Sequence, residues 1–244
     1  MTLKEQVREF WNAEPCAMRF ATKPVGTREF YDEVEAFRYR VQPWHKRVAE
    51  FDQHWGGDVL EIGCGMGTDA LQFARGGATV TVVDLTQSAI DITRKRFEVY
   101  GFPLNAQVAD AESLPFRDNT FDVVYSFGVL HHTPDTEKAL HEAVRVLKPG
   151  GRLIVMLYHS RSLHFWLGSL VYGSAEWVRM YDGPGNPLGK AYTRKQVRAM
   201  IPMKVELESV EFIHRRWPKW ANALWQCLTF GTGAYLIAKG NKHE

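Results

Sequence analysis

A chain of 244 residues is long enough for one α/β domain with a small appended cap, and its 30 Lys and Arg against 28 Asp and Glu leave a net charge of +2. That balance gives no electrostatic reason to expect nucleic acid or an anionic membrane as a partner. Cys16, Cys64 and Cys227 are widely spaced and lack C-x-x-C pairing, and residues 2–8 are mixed and charged, so neither a disulfide framework, a metal site nor an export signal is expected.

The longest apolar runs, such as 153–158, are strand-length, which leaves no membrane span and points to the cytoplasm. In chain order, Thr2 with Glu5 three residues on is a capping-box pattern, opening a helix with Leu3, Val7, Phe10 and Trp11 on its apolar side. A loop over 15–26 ends it. Further helices are expected near Thr27–Arg40 and from Pro43, where proline suits a first turn, so residues 1–55 read as a helical N-terminal cap and 56–244 as the main domain.

From Asp58 short apolar runs alternate with amphipathic stretches, the pattern of βα units on a parallel sheet. Strands are expected at 59–62, 79–83, 105–109, 121–126 and 152–158. Helices fall at 69–74, at 87–100 behind a Thr86 cap and at 136–147, the last closing on the turn Lys148-Pro149-Gly150-Gly151. An aromatic-rich stretch, 163–181, the loop 182–187 and a helix from Thr193 interrupt the alternation as an insertion over residues 160–203. Final strands at 205–214 and 234–238, flanking a tryptophan-rich loop, suit an antiparallel end to the sheet. The expected fold is α/β and Rossmann-like: a seven-stranded, mainly parallel sheet with a helical N-terminal cap and a lid insertion after the fifth strand.

The strongest local signal is Val59-Leu60-Glu61-Ile62-Gly63-Cys64-Gly65-Met66-Gly67-Thr68, an apolar strand running into a glycine-rich turn before a helix. Glycine there lets the backbone pass close to a ligand. The next strand ends at Asp84, with Leu85 after it, where a carboxylate can accept from both hydroxyls of a ribose. The third ends at Asp110-Ala111, where a carboxylate and a free backbone amide suit the amino group and ring nitrogen of adenine. A purely structural glycine turn is one competing reading. A dinucleotide site of a nicotinamide or flavin oxidoreductase is another, but its G-x-G-x-x-G would place a third glycine at 68, where Thr stands. Glu61 also suits a pyrophosphate poorly, and the cationic methionyl part of S-adenosylmethionine (SAM) well.

These residues resemble the class I SAM-dependent methyltransferases, in particular the small-molecule branch that includes the ubiquinone and menaquinone methyltransferases. The similarity spans 58–158 and takes in Phe121-Asp122-Val123-Val124-Tyr125-Ser126-Phe127-Gly128-Val129-Leu130-His131-His132 and Leu147-Lys148-Pro149-Gly150-Gly151. It implies that Gly63 and Gly65 border the methionyl group, that Asp84 binds the ribose, that Asp110-Ala111 hold adenine, and that the fourth strand ends at Phe127 beside the methyl to be transferred. Phe10-Trp11-Asn12 with Pro15-Cys16, and Phe37-Arg38-Tyr39-Arg40, resemble the cap of an uncharacterised subgroup, which makes Arg38 and Tyr39 candidates for the SAM carboxylate.

Methyl transfer from a sulfonium is an in-line displacement, so the protein contributes alignment first and, for an acceptor that starts protonated, a base. His132 is the preferred base, with His131 and Tyr181 as further catalytic candidates, and each has a structural reading beside it. Tyr158 and His159 end the fifth strand, and Asp182 and Tyr192 lie in the insertion. The expected acceptor is a small molecule, partly apolar or aromatic, enclosed by the cap and the aromatic insertion around Trp166–Tyr192. A tRNA or other nucleic-acid methyltransferase, drawing on Arg215-Arg216-Trp217-Pro218-Lys219-Trp220, and a non-catalytic SAM-binding module are the alternatives.

Overall fold

The computed structural model describes residues 1–244 except 14–17, 19, 20, 174, 175, 177, 179–181, 184, 212–217, 230, 231 and 244. Pro15, Cys16, Trp177, Tyr181 and the Arg215–Trp217 run therefore lie outside the described residues.

The strands are β1 (Asp58–Ile62), β2 (Thr79–Asp84), β3 (Asn105–Val108), β4 (Phe121–Phe127), β5 (Leu147–His159), β6 (Ala191–Tyr192), β7 (Glu206–Val210) and β8 (Tyr235–Asn241). They form one sheet in the order β3-β2-β1-β4-β5-β8-β7, with β6 on β5. Pairing is parallel from β3 through β5, and β8 runs antiparallel to both β5 and β7. The seven expected strands are thus joined by an eighth, a two-residue strand of the insertion paired with Tyr158 and His159.

Alternate residues of each strand feed two cores, as a sheet covered on both faces requires. Val59, Val80, Val82, Tyr125, Ile154 and Met156 face one of them, with α4 (Thr68–Arg75) and α5 (Gln87–Tyr100). Leu60, Ile62, Val83, Val124 and Val155 face the other, with α6 (Thr136–Val146). The strand order reverses between β1 and β4, so a crevice opens at their carboxyl ends, where ligands bind in sheets of this kind.

Three helices precede the sheet: α1 (Leu3–Ala13), α2 (Arg28–Val41) and α3 (His45–Ala49). The capping box is present at α1, with Thr2 N donating to Glu5 at 2.6 Å and Glu5 N to the Thr2 hydroxyl at 3.2 Å. Val7 is buried there but Leu3 is exposed, so the apolar side of α1 is narrower than its sequence implies. Arg96, wholly buried, clamps α2 to the glycine turn by donating to Glu35 (3.0 Å), Tyr31 O (3.3 Å), Met66 O (3.4 Å) and the Thr68 hydroxyl (2.8 Å).

Four local expectations are corrected. The helix after Pro43 starts only at His45. Lys148–Gly151 is part of β5, whose register shifts between Phe121 and Val123 to absorb the glycines. The tryptophan-rich loop is in part a helix, α9 (Lys219–Leu228), which starts behind Pro218, because proline fixes the φ that a helix start needs. Within the insertion, α7 (Leu163–Tyr172) and α8 (Arg194–Met200) flank β6, and Trp166 and Tyr172 point to solvent while Phe165 is buried.

Candidate active site

Gly63, Gly65 and Gly67 all have positive φ, at 80°, 52° and 67°, and each does a different job. A Cβ on Gly63 would stand 2.2 Å from Val129, and one on Gly67 2.6 Å from Thr93, so these two seat the turn against the segment that follows β4 and against α5. A Cβ on Gly65 would meet nothing within 4 Å, which makes that glycine the open face of the cradle. Gly63→Ala is therefore expected to cost about 2–4 kcal/mol, from left-handed strain plus overpacking. Gly65→Ala carries only the strain, about 1–2 kcal/mol. Urea denaturation of both variants checks the contrast, and equal losses would contradict it.

Beside the cradle lies a buried charge cluster that sequence spacing did not reveal. Asp69, in the first turn of α4, is 2 % exposed. It is paired with the Arg38 guanidinium, and it receives the Tyr125 hydroxyl at 2.8 Å and the Tyr39 hydroxyl at 3.3 Å, with His45 Nε2 at 3.0 Å. These partners, Arg38 first, hold its carboxyl below the usual range in spite of burial. Glu61, one turn away on β1, goes the other way: burial, then the Asp69 charge, push its carboxyl well above the usual range. The two carboxyls are thus shifted in opposite directions by one shared set of neighbours. Three buried atoms of the cluster have no partner among the described residues: Glu61 Oε2, Arg38 Nε and His45 Nδ1. An unsatisfied carboxylate oxygen beside an unsatisfied guanidinium N–H complements an amino-acid zwitterion, with an ammonium for one and a carboxylate for the other.

On the nucleoside side, Asp84 is oriented by its neighbours. Oδ1 accepts from Thr86 N (2.9 Å) and the Thr86 hydroxyl (2.8 Å), and Oδ2 from Gly65 N (3.2 Å). The Leu85 amide also supports the carboxylate, yet burial outweighs these donors and raises its pKa. Asp110 Oδ1 accepts from Glu112 N at 2.9 Å, and its Oδ2 from Lys4 at 2.5 Å. Lys4 also reaches Glu112 at 2.6 Å. Ala111 lies beside this pair and is buried. Helix α1 therefore crosses the strand ends: Lys4 sits at β3, Asn12 accepts from Ser88 N at 3.3 Å, and the Trp11 ring meets His132 edge-on at 5.2 Å.

A second group of side chains begins where β4 ends. Phe127 lies under Arg38 at 5.0 Å and continues through Trp44, Tyr235, Tyr158 and Phe165 as an aromatic wall. His131 is fully buried, packed on Tyr158 at 3.9 Å, and both its ring nitrogens lack partners. Burial lowers its pKa well below the usual histidine value. His132 Nδ1 lies 2.6 Å from Leu188 O, and its Nε2 is 3.3 Å from Asp182 Oδ2 without the alignment of a hydrogen bond. Asp182 Oδ1 accepts from the Tyr158 hydroxyl. The structure so brings His131, His132, Tyr158 and Asp182 together, whereas His159 turns away and binds Gly233 O at 3.0 Å. Two clefts, at Glu50–His54–Arg152 and at Thr79–Arg94–Asn105, open at the amino ends of the strands, away from this site.

Comparison with known proteins fits this geometry. Residues 60–155 match a methyltransferase domain family. A fatty-acid O-methyltransferase of Mycolicibacterium smegmatis is 35% identical over 180 residues, which is 72% of this chain and 61% of that protein. A demethylmenaquinone methyltransferase of Streptomyces avermitilis is 33% identical over 200 residues, 78% of this chain and 80% of that one. Among solved structures, the [4+2]-cyclase SpnF aligns with a TM-score of 0.66 at 21% identity, covering 98% of this chain and 97% of its own. The last likeness carries the fold alone. With the glycine cradle, the acidic strand ends and a relative matched over most of both lengths, the chain belongs to the class I SAM-dependent methyltransferases, in the small-molecule branch that includes the ubiquinone and menaquinone enzymes.

Proposed function

We propose that the chain transfers the methyl group of SAM to a hydroxyl or carboxyl oxygen of a small, partly apolar molecule, leaving S-adenosylhomocysteine. The observation that carries this reading is the pair of buried atoms without a partner among the described residues, Glu61 Oε2 and Arg38 Nε, in one charge cluster. When bound, SAM supplies a methyl on a positively charged sulfur, the bond that a nucleophile displaces in line. Glu61 receives the ammonium and Arg38 the carboxylate of its methionyl part, with Tyr39 and Phe127 as the flanking wall. Asp84, followed by Leu85, takes the ribose hydroxyls, and Asp110 with Ala111 the adenine.

The acceptor lies on the side of His131, His132 and Asp182, under α1 and the 160–203 insertion, which together serve as a lid that excludes water. The two relatives described above are named for a fatty acid and for demethylmenaquinone, both largely apolar. The aromatic wall from Phe127 to Phe165 suits such a molecule. His132 with Asp182 draws off the acceptor's proton as the oxygen attacks. A second reading, a SAM-binding fold put to other chemistry, is kept in view by the cyclase name of the structural neighbour.

Turnover decides between them. Label should pass from methyl-labelled SAM to fatty-acid or quinol acceptors, and His132→Ala should lower that turnover about 100-fold with S-adenosylhomocysteine affinity kept. Binding without transfer to any oxygen acceptor would favour the second reading.

A further inference from the structure

His131, His132 and Asp182 each offer one ligand atom, and the three atoms lie within 4.8 Å of one another. Two of them face each other in a way that neutral groups resist. His132 Nδ1 is hydrogen-bonded to the Leu188 carbonyl at 2.6 Å and must carry the proton, because a carbonyl only accepts. Its Nε2 is then a bare lone pair, 3.3 Å from the Asp182 carboxylate, which only accepts as well. A cation bound between the two would satisfy both, as would a second proton on the ring. His131 adds an independent sign, since it is wholly buried and neither ring nitrogen has a partner among the described residues.

We infer that His131, His132 and Asp182 bind a divalent first-row transition-metal ion. Two imidazoles and one carboxylate are the donor set of Zn²⁺, Mn²⁺, Fe²⁺ or Co²⁺, not of Mg²⁺ or Ca²⁺, which prefer oxygen alone. Three protein ligands leave coordination positions open to the acceptor, as in catalytic sites. The surroundings are those of ligating groups. A ligating histidine donates its other N–H to a carbonyl or carboxylate, as His132 does to Leu188. A ligating carboxylate is itself hydrogen-bonded, as Asp182 is by the Tyr158 hydroxyl, with Asn186 Nδ2 at 3.5 Å from the other oxygen. Lys190, whose charge bears on His131, is held by the carbonyls of Thr133 (2.9 Å) and Pro134 (2.7 Å). Sequence spacing hid the site because Asp182 comes from the insertion, far along the chain from the two histidines. The inference rests on the placement of the acceptor side proposed above and changes one role in it: with a metal ion on Nε2, His132 would hold the ion and would not be the base.

The test is a Co²⁺ titration of the full chain after chelator treatment, followed by visible d–d absorption, with S-adenosylhomocysteine calorimetry on the same samples. One equivalent of Co²⁺ should bind with bands of nitrogen and oxygen ligation, and Zn²⁺ should displace it. Asp182→Asn, on a partly exposed loop, and His131→Gln should each weaken Co²⁺ at least tenfold while the nucleoside product still binds. No absorption in the wild type, or equal Co²⁺ affinity in wild type and Asp182→Asn, overturns the metal site while leaving the methyltransferase reading intact. Loss of S-adenosylhomocysteine binding by the wild type would instead strike at the cofactor site, whatever the cobalt spectrum shows.

Discussion

Asp69→Asn is expected to destabilise the protein by about 3–5 kcal/mol, because it removes one member of a buried ion pair and leaves the other charge unmatched. Arg38 loses its anionic partner, and one of the two acceptor oxygens shared by Arg38, His45, Tyr125 and Tyr39 becomes an amide donor. The pH dependence has a definite sign. The folded carboxyl of Asp69 is held below its ordinary value of 3.8, so its contribution is complete above that pH and fades as the pH falls below it. Urea denaturation of wild type and variant should show a constant gap at neutral pH that narrows in acid. A gap that widened in acid, or a loss under about 1 kcal/mol, the size of a surface effect, would refute the role given to the cluster.

Asp84→Ala is expected to weaken S-adenosylhomocysteine about 10²–10³-fold, since two hydrogen bonds from ribose hydroxyls to a buried carboxylate are lost. Part of the effect is indirect, because the same carboxylate fixes Gly65 N, and with it the cradle. Asp84→Asn separates the two contributions. It keeps the size but turns an amide nitrogen toward either the Gly65 or the Thr86 N–H donors, so it should lose nearly as much affinity as alanine. Calorimetry on both variants checks this. Full affinity in either would move the ribose away from the end of β2.

Much of this architecture is legible in the residues themselves. The helix over 87–100 lies between Thr86, whose hydroxyl accepts from Ala89 N, and Gly101 with φ 75°, so both ends carry local signals. The inner parallel strands β1 and β4 are largely apolar because both faces are buried, whereas β3 at the sheet edge is mostly exposed. What the chain order concealed depends on tertiary contact. Asp69 reads as an ordinary first-turn acid until Arg38, His45 and Tyr125 come from three other elements. Arg96 reads as a surface residue of an amphipathic helix and is wholly buried. Lys4 and Asn12 gain meaning only when α1 lies across the strand ends. Acidic or basic residues between an apolar α1 face and its partner were a usable sign, but one shared by most surface helices.

The central claim is that the carboxyl ends of β1 to β4 form a SAM site. Calorimetric titration of the purified wild-type chain with SAM and S-adenosylhomocysteine, against NAD as the rival nucleotide, tests it most directly. The account predicts saturable one-to-one binding of both sulfur nucleosides, mutually competitive and indifferent to NAD. Binding of NAD that displaces them, or no binding of either nucleoside, would contradict it.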